Sequence, residues 1–177
     1  MEFTPIINDN LAIFTYIPNI LTPNELIELT SWLHNLQYKK GTCISGKDIP
    51  REQIWYQENG AYFCNNWKIK YDRWESEPYE EILSKYQNKI NKIVSEKLSK
   101  YNEIVPIKFN SCLINKYRNG MDSIRPHRDT SESFGDYPTI AGLSIGAKRT
   151  ISIKKIATEC YNTNSLRHDE NDSYNLN

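Results

Sequence analysis

The sequence predicts an α+β domain, and three observations carry that prediction. Two early stretches place apolar side chains at helical spacing, and from Phe109 onward short strand-like runs take over. The chain, at 177 residues with 38% hydrophobic and 12% aromatic side chains, is long and apolar enough to bury one core. Charge is balanced, 22 Lys and Arg against 22 Asp and Glu, which argues against attachment to nucleic acid by bulk electrostatics. A local patch remains: residues 116–128 hold Lys116, Arg118, Arg125 and Arg128 against Asp122, with a solvated basic loop as the plain alternative. Cys43, Cys64, Cys112 and Cys160 are widely spaced and form no CxxC pair. Reduced thiols in a cytoplasmic or nuclear protein are therefore expected, and structural zinc is not. No charged-then-apolar leader opens the chain and no apolar run approaches ~18 residues, so no membrane partner is expected.

The elements follow in order. "LAIFTYIPNI" (11–20) is rich in β-branched and aromatic residues and reads as a strand ending at Pro18. "TPNELIELTSWLHNL" opens a helix with Thr22 as cap, Pro23 in the first turn and Glu25 three residues beyond the cap. Leu26, Leu29, Trp32, Leu33 and Leu36 then form its apolar face, beside which His34 reads as a surface or half-buried histidine. Residues 41–48 are loop-like, and 49–74 mix strand formers with turn residues, most simply two or three short strands. "PYEEILSKYQNKINKIVSEKLSK" opens at Pro78 and sets Tyr79, Leu83, Tyr86, Ile90, Ile93, Val94 and Leu98 on one face of a second helix. Its lysines form the solvated side. Thereafter "FNSCLINKY", "TIAGLSIG" and "RTISIKKI" read as strands, with Gly146–Lys148 as a hairpin turn. Beyond Ile156 the chain is polar, with no strand signal until its last few residues.

Within this β region His127 and Asp129 stand one residue apart. On a strand, alternate side chains point the same way, so an imidazole nitrogen and a carboxylate oxygen would reach one ion as adjacent ligands. Iron(II) in oxygenases takes such a pair with a second histidine on one face. Alone the pair is a weak signal that occurs often by chance, and a polar turn is the better reading of it. Asn115 and Tyr117, also two apart on a strand, share a face; on spacing alone they are a satisfied strand pair.

Context raises the pair. "FNSCLINKYRNGMDSIRPHRD", then a Pro-Thr-Ile run and "LSIGAKR", closely resembles the AlkB family of iron(II)- and 2-oxoglutarate-dependent dioxygenases. "YIPNILTPNELIEL" resembles that family's opening strand and first helix, and "PREQIWY" resembles the Pro-Arg start of its nucleotide-recognition region. The resemblance runs from about residue 11 to about residue 156. It implies a double-stranded β-helix (jelly roll) with N-terminal helices packed on the sheet. It also implies oxidation of an alkyl group on a flipped base of DNA or RNA, with 2-oxoglutarate and oxygen consumed and formaldehyde released.

By position the resemblance makes His127 and Asp129 catalytic iron ligands, and Asn115 and Tyr117 hydrogen-bond partners of 2-oxoglutarate. It makes Arg51 a contact to nucleic acid. Trp55, Tyr56, Tyr62 and Phe63 supply aromatic faces for a base, each with ordinary core as its alternative. Repair members carry an acidic residue two positions after the iron-binding aspartate. Here Ser131 stands there, which accepts a hydrogen bond but brings no negative charge to a cationic base.

A distal histidine and an arginine for the far carboxylate of 2-oxoglutarate should follow. After Asp129 the sequence offers only His168, and after Arg149 only Arg167, both in the polar "SLRHDEND". The expectation is therefore a jelly roll incomplete at its C-terminal end, in a chain truncated relative to the family. It would be one AlkB-like domain over 1–177, with recognition elements in 1–108 and a partial jelly-roll core in 109–177. Its partners would be iron(II), 2-oxoglutarate and alkylated DNA or RNA, and the chain a monomer. Two other readings stay open: a catalytically inactive relative that only binds nucleic acid or protein, and an unrelated α+β domain in which "HRD" is a turn.

Overall fold

The computed structural model describes residues 4–8, 12–43, 46–58, 75–98, 108–129, 134, 138–154 and 173–176. The chain divides into two compact units, Met1–Ala141 and Gly142–Asn177. In the first, strand β1 (Thr4–Asn8) pairs antiparallel with β2 (Ile13–Tyr16), with a register shift between Pro5 and Ile7. The sequence gives no clear signal for β1, and β2 stops two residues before Pro18.

Helix α1 (Pro23–Asn35) starts where its cap predicts. The Glu25 amide donates to Thr22 Oγ1 at 3.3 Å, and the Thr22 amide donates to Glu25 Oε2 at 2.7 Å, so two orphan donors of the first turn are satisfied reciprocally. His34 lies exposed in the last turn. Helix α2 (Glu81–Leu98) begins three residues after Pro78 and packs on α1. Lys89 bridges to Glu25 at 2.6 Å and Lys85 to Glu28 at 2.5 Å, while the Tyr86 hydroxyl lies 2.6 Å from Glu28 Oε2 and 2.9 Å from the Glu25 carbonyl.

This clamp sets a pH dependence. The Lys89 ammonium, and after it the Thr22 amide, pull the Glu25 carboxyl from 4.5 to about 2. A carboxyl depressed by folding stabilises fully above its ordinary value and stops doing so as pH falls through its folded value. Lys89→Met is therefore expected to melt earlier than the parent at neutral pH. The gap should narrow between pH 4.5 and about 2, as followed by thermal unfolding at stepped pH.

Strand β3 (Glu52–Gln57) pairs antiparallel with β4 (Ser111–Lys116) over six residues, from Glu52 opposite Lys116 to Gln57 opposite Ser111. The outer edge of β3 is covered by single bridges to Lys39 and, parallel, to Glu77. Its two faces divide by parity. Ile54 and Tyr56, with Ile114 and Cys112 opposite, face the helices and form the core with Leu83, against which Trp32, Leu36, Tyr38 and Tyr79 pack. Gln53, Trp55 and Gln57, with Asn115, Leu113 and Ser111 opposite, take the other face. Ile54→Ala, at a site 4% exposed, is expected to cost about 2–5 kcal/mol, read from the urea midpoint.

Cys112 lies within that core, where burial pushes its thiol up to about 11 and keeps it protonated and unreactive at neutral pH. Cys43 and Cys112 are free thiols; Cys64 and Cys160 lie outside the described residues. Among the described residues no helix is long and apolar enough to cross a membrane.

In the second unit, β5 (Ile151–Lys154) pairs antiparallel with β6 (Ser173–Leu176). The expected strand at "TIAGLSIG" is not one. Residues 139–145 have no strand pairing, and β5 takes its partner from the end of the chain instead of across Gly146. A strand is a pairing, and an alternating pattern without a partner edge does not make one.

Candidate metal and cofactor site

The polar face of the β3–β4 pair brings three expected site residues together. Asn115 sits opposite Gln53. Arg51, just before β3, donates from Nε to Asn115 Oδ1 at 2.9 Å, and Gln53 Nε2 lies 2.9 Å from the same oxygen. Tyr117 follows β4 on the same parity, close enough to bear electrostatically on Arg51. Burial lowers the Arg51 pKa from its usual value, and Tyr117 acts in the opposite direction.

The turn after β4 is held rigidly. Asp122, only 3% exposed, accepts from Arg118 Nε and from Arg118 Nη2 at 2.8 Å each, and also from the Arg118 amide at 2.8 Å. This charge-assisted fork closes the Asn-Gly turn, where the Met121 amide donates to Asn119 Oδ1 at 2.8 Å. The Ser123 amide then donates to the Pro50 carbonyl at 2.8 Å, and Arg51 Nη1 donates to the Ser123 carbonyl at 3.3 Å. The segment leading to His127 is thus fastened to the start of β3.

His127 and Asp129 lie in that irregular segment and not on a strand, so strand alternation does not explain their convergence. They converge nonetheless: His127 Nε2 is 3.7 Å from Asp129 Oδ1, with side chains 52% and 36% exposed. His127 Nδ1 lies 2.9 Å from the Arg125 carbonyl. A carbonyl only accepts, so Nδ1 carries a proton, and Nε2 is the ring nitrogen on the Asp129 side.

An imidazole oriented from behind, beside a carboxylate, supplies two of the donors that a divalent cation takes. Two donors about 2.1 Å from one ion at right angles stand about 3.0 Å apart, so the pair needs to close by about 0.7 Å. Both side chains have the exposure to do so. These residues fit two positions of an iron(II) site. Among the described residues no group of three His, Cys, Asp or Glu side chains gathers around one point. His168 and Arg167 lie outside the described residues, as do Tyr62, Phe63 and Ser131.

The two remaining aromatic candidates separate by face. Trp55 is on the Asn115 side of β3, 4% exposed, whereas Tyr56 faces the helices, 2% exposed, with its hydroxyl donating to Glu80 Oε1 at 3.2 Å. The basic patch of 116–128 is also partly committed. Arg118 is bound to Asp122, and Lys116 sits 3.8 Å from Glu52 and 4.6 Å from the Tyr38 ring centroid. Arg125 and Arg128 remain exposed. Sequence reasoning overlooked Gln53, although it stands two residues after Arg51 in "PREQIWY". It also overlooked the Arg118–Asp122 pair, although opposite charges four apart around Asn-Gly were visible.

Comparison with known proteins places the chain in a family. The pattern describing the 2OG-Fe(II) oxygenase superfamily matches residues 13–177. A 47-residue segment is 51% identical to the alpha-ketoglutarate-dependent dioxygenase alkB homolog 3 of Homo sapiens, covering 27% of this chain and 16% of that protein. The homolog 3 proteins of Mus musculus and Rattus norvegicus are each 49% identical over the same length, with the same coverage. The matched segment thus spans about a sixth of each of these relatives.

Proposed function

The chain belongs to the 2OG-Fe(II) oxygenase superfamily, and from that membership we propose that it dealkylates alkylated bases of DNA or RNA oxidatively. The observation that carries the reading is the His127–Asp129 pair, facing each other at 3.7 Å with Nδ1 tied to a carbonyl. The family implies a jelly-roll fold, and in this reading β3 and β4 are two of its strands. Bound together, iron(II), 2-oxoglutarate and oxygen would supply the oxidation that hydroxylates the alkyl carbon, 2-oxoglutarate leaving as succinate and carbon dioxide; the C–N bond of the hydroxyalkyl group would then break to give an aldehyde and the free base.

The chain's own residues do the rest. His127 Nε2 and the Asp129 carboxylate hold the cation, and the Arg125 carbonyl keeps the imidazole in its ligating tautomer. Asn115 on β4 and Tyr117 just after it donate hydrogen bonds to 2-oxoglutarate beside the metal segment. Exposed Arg125 and Arg128 meet phosphate of the polymer. The nucleic-acid substrate is favoured by the alkB homolog 3 similarity and by the "PREQIWY" segment at the head of β3.

The test is release of succinate and formaldehyde by the full chain with iron(II), 2-oxoglutarate and an oligonucleotide carrying N-methylated adenine or cytosine. Turnover above that with the unmodified oligonucleotide is expected. Salt-sensitive oligonucleotide binding without any turnover would replace this reading with that of a binding module.

A further inference from the structure

We propose that Arg51 is a positioning residue for 2-oxoglutarate, acting through Asn115; the inference rests on the oxygenase reading. Arg51 Nε lies 2.9 Å from Asn115 Oδ1. A guanidinium only donates, so the amide atom it meets at 2.9 Å is oxygen, and this contact sets which way the Asn115 amide faces. Gln53 bears on the same atom. With Nε2 toward Asn115 Oδ1 at 2.9 Å it agrees with Arg51. Turned over, its oxygen would accept from Arg51 Nε and Nη2 at 3.2 Å but would stand 2.9 Å from Asn115 Oδ1, oxygen against oxygen, so the Arg51 contact favours the first arrangement.

With Oδ1 held toward Arg51, the Asn115 amide hydrogens are what the side chain has left to offer. That polarity suits a carboxylate, which only accepts. The reversed amide would set oxygen against oxygen and leave the carboxylate without a donor. Arg51 also reaches the other half of the site. Its Nη1 donates to the Ser123 carbonyl at 3.3 Å, and the Ser123 amide donates to Pro50 at 2.8 Å. One guanidinium therefore ties the strand that presents Asn115 to the segment that runs on to His127 and Asp129. The half-buried fork is spent inside the protein, where a phosphate contact would need it turned outward.

A double-mutant cycle on the full chain tests this, with manganese(II) in place of iron(II) and 2-oxoglutarate affinity read by calorimetry. Arg51→Lys keeps the charge but loses the planar fork, and is expected to weaken 2-oxoglutarate binding about tenfold. Asn115→Ala should weaken it at least as much, and Arg51→Lys should add nothing in the Asn115→Ala background. Arg51→Gln, assayed in parallel, should leave the salt dependence of oligonucleotide binding unchanged.

If Arg51→Lys binds 2-oxoglutarate like the parent, or if the two losses simply add, Arg51 does not act through Asn115 and the proposal fails alone. A salt slope reduced by about one in Arg51→Gln, with 2-oxoglutarate binding intact, would make Arg51 a phosphate contact instead. A parent chain that binds no 2-oxoglutarate overturns this proposal and the oxygenase reading together.

Discussion

His127→Ala is expected to reduce 2-oxoglutarate turnover to background and to weaken manganese(II) binding by more than about 100-fold. Its imidazole is the nitrogen donor that the described residues offer the site, and the ring is aimed from behind by the Arg125 carbonyl at 2.9 Å. Loss of partners behind a ligand already costs about 10–100-fold in affinity, and loss of the ligand itself costs more. Asp129→Asn should follow the same course more mildly, since an amide oxygen still coordinates but without charge. Manganese(II) binding followed by electron paramagnetic resonance separates a metal defect from a folding defect, because both side chains lie at the surface. If His127→Ala holds manganese(II) as tightly as the parent, the His-Arg-Asp segment is the polar turn that its sequence also allows.

Tyr56→Ala should be the most damaging single change to stability, at about 3–5 kcal/mol. The ring is 2% exposed, stands 6.0 Å from Trp32 and 6.4 Å edge-on from Tyr79, and belongs to the cluster with Ile54 and Leu83. Tyr56→Phe keeps all of that and removes only the hydroxyl that donates to Glu80 at 3.2 Å, so about 1 kcal/mol is expected. Urea unfolding reads both. Should Tyr56→Phe instead leave stability alone and weaken oligonucleotide binding several-fold, the ring is a base contact and its helix-facing placement is wrong.

What the sequence disclosed followed the locality of the cause. Thr22, Pro23 and Glu25 announced α1 because a cap is a contract among four neighbouring residues, and the apolar face of α2 was readable for the same reason. Strand β4 was legible from its run of residues, and Asn115 and Tyr117 with it. Strand β1 was not, since a short polar-flanked run becomes a strand only through its partner. The "TIAGLSIG" segment failed for the mirror reason: its pattern is right, yet pairing depends on distant residues. At the site, alternation along a strand suggested that His127 and Asp129 converge, but they do so in an irregular segment that follows the Asp122-locked turn and the Ser123–Pro50 contact. The link from Arg51 to Asn115 joins residues far apart in the chain, and no local pattern encodes it.

Strand β3 has no idle side. Its even-numbered residues Ile54 and Tyr56 are buried under the helices, and its odd-numbered Gln53 and Trp55 line the opposite surface beside Asn115. Chain length here therefore matters in steps of two. A single codon gained or lost between Pro50 and Trp55 would exchange the surfaces, driving glutamine beneath the helices and isoleucine beside the asparagine. An in-phase pair of codons would preserve that alternation, so natural or laboratory length variants at this strand should tolerate paired changes far better than single ones.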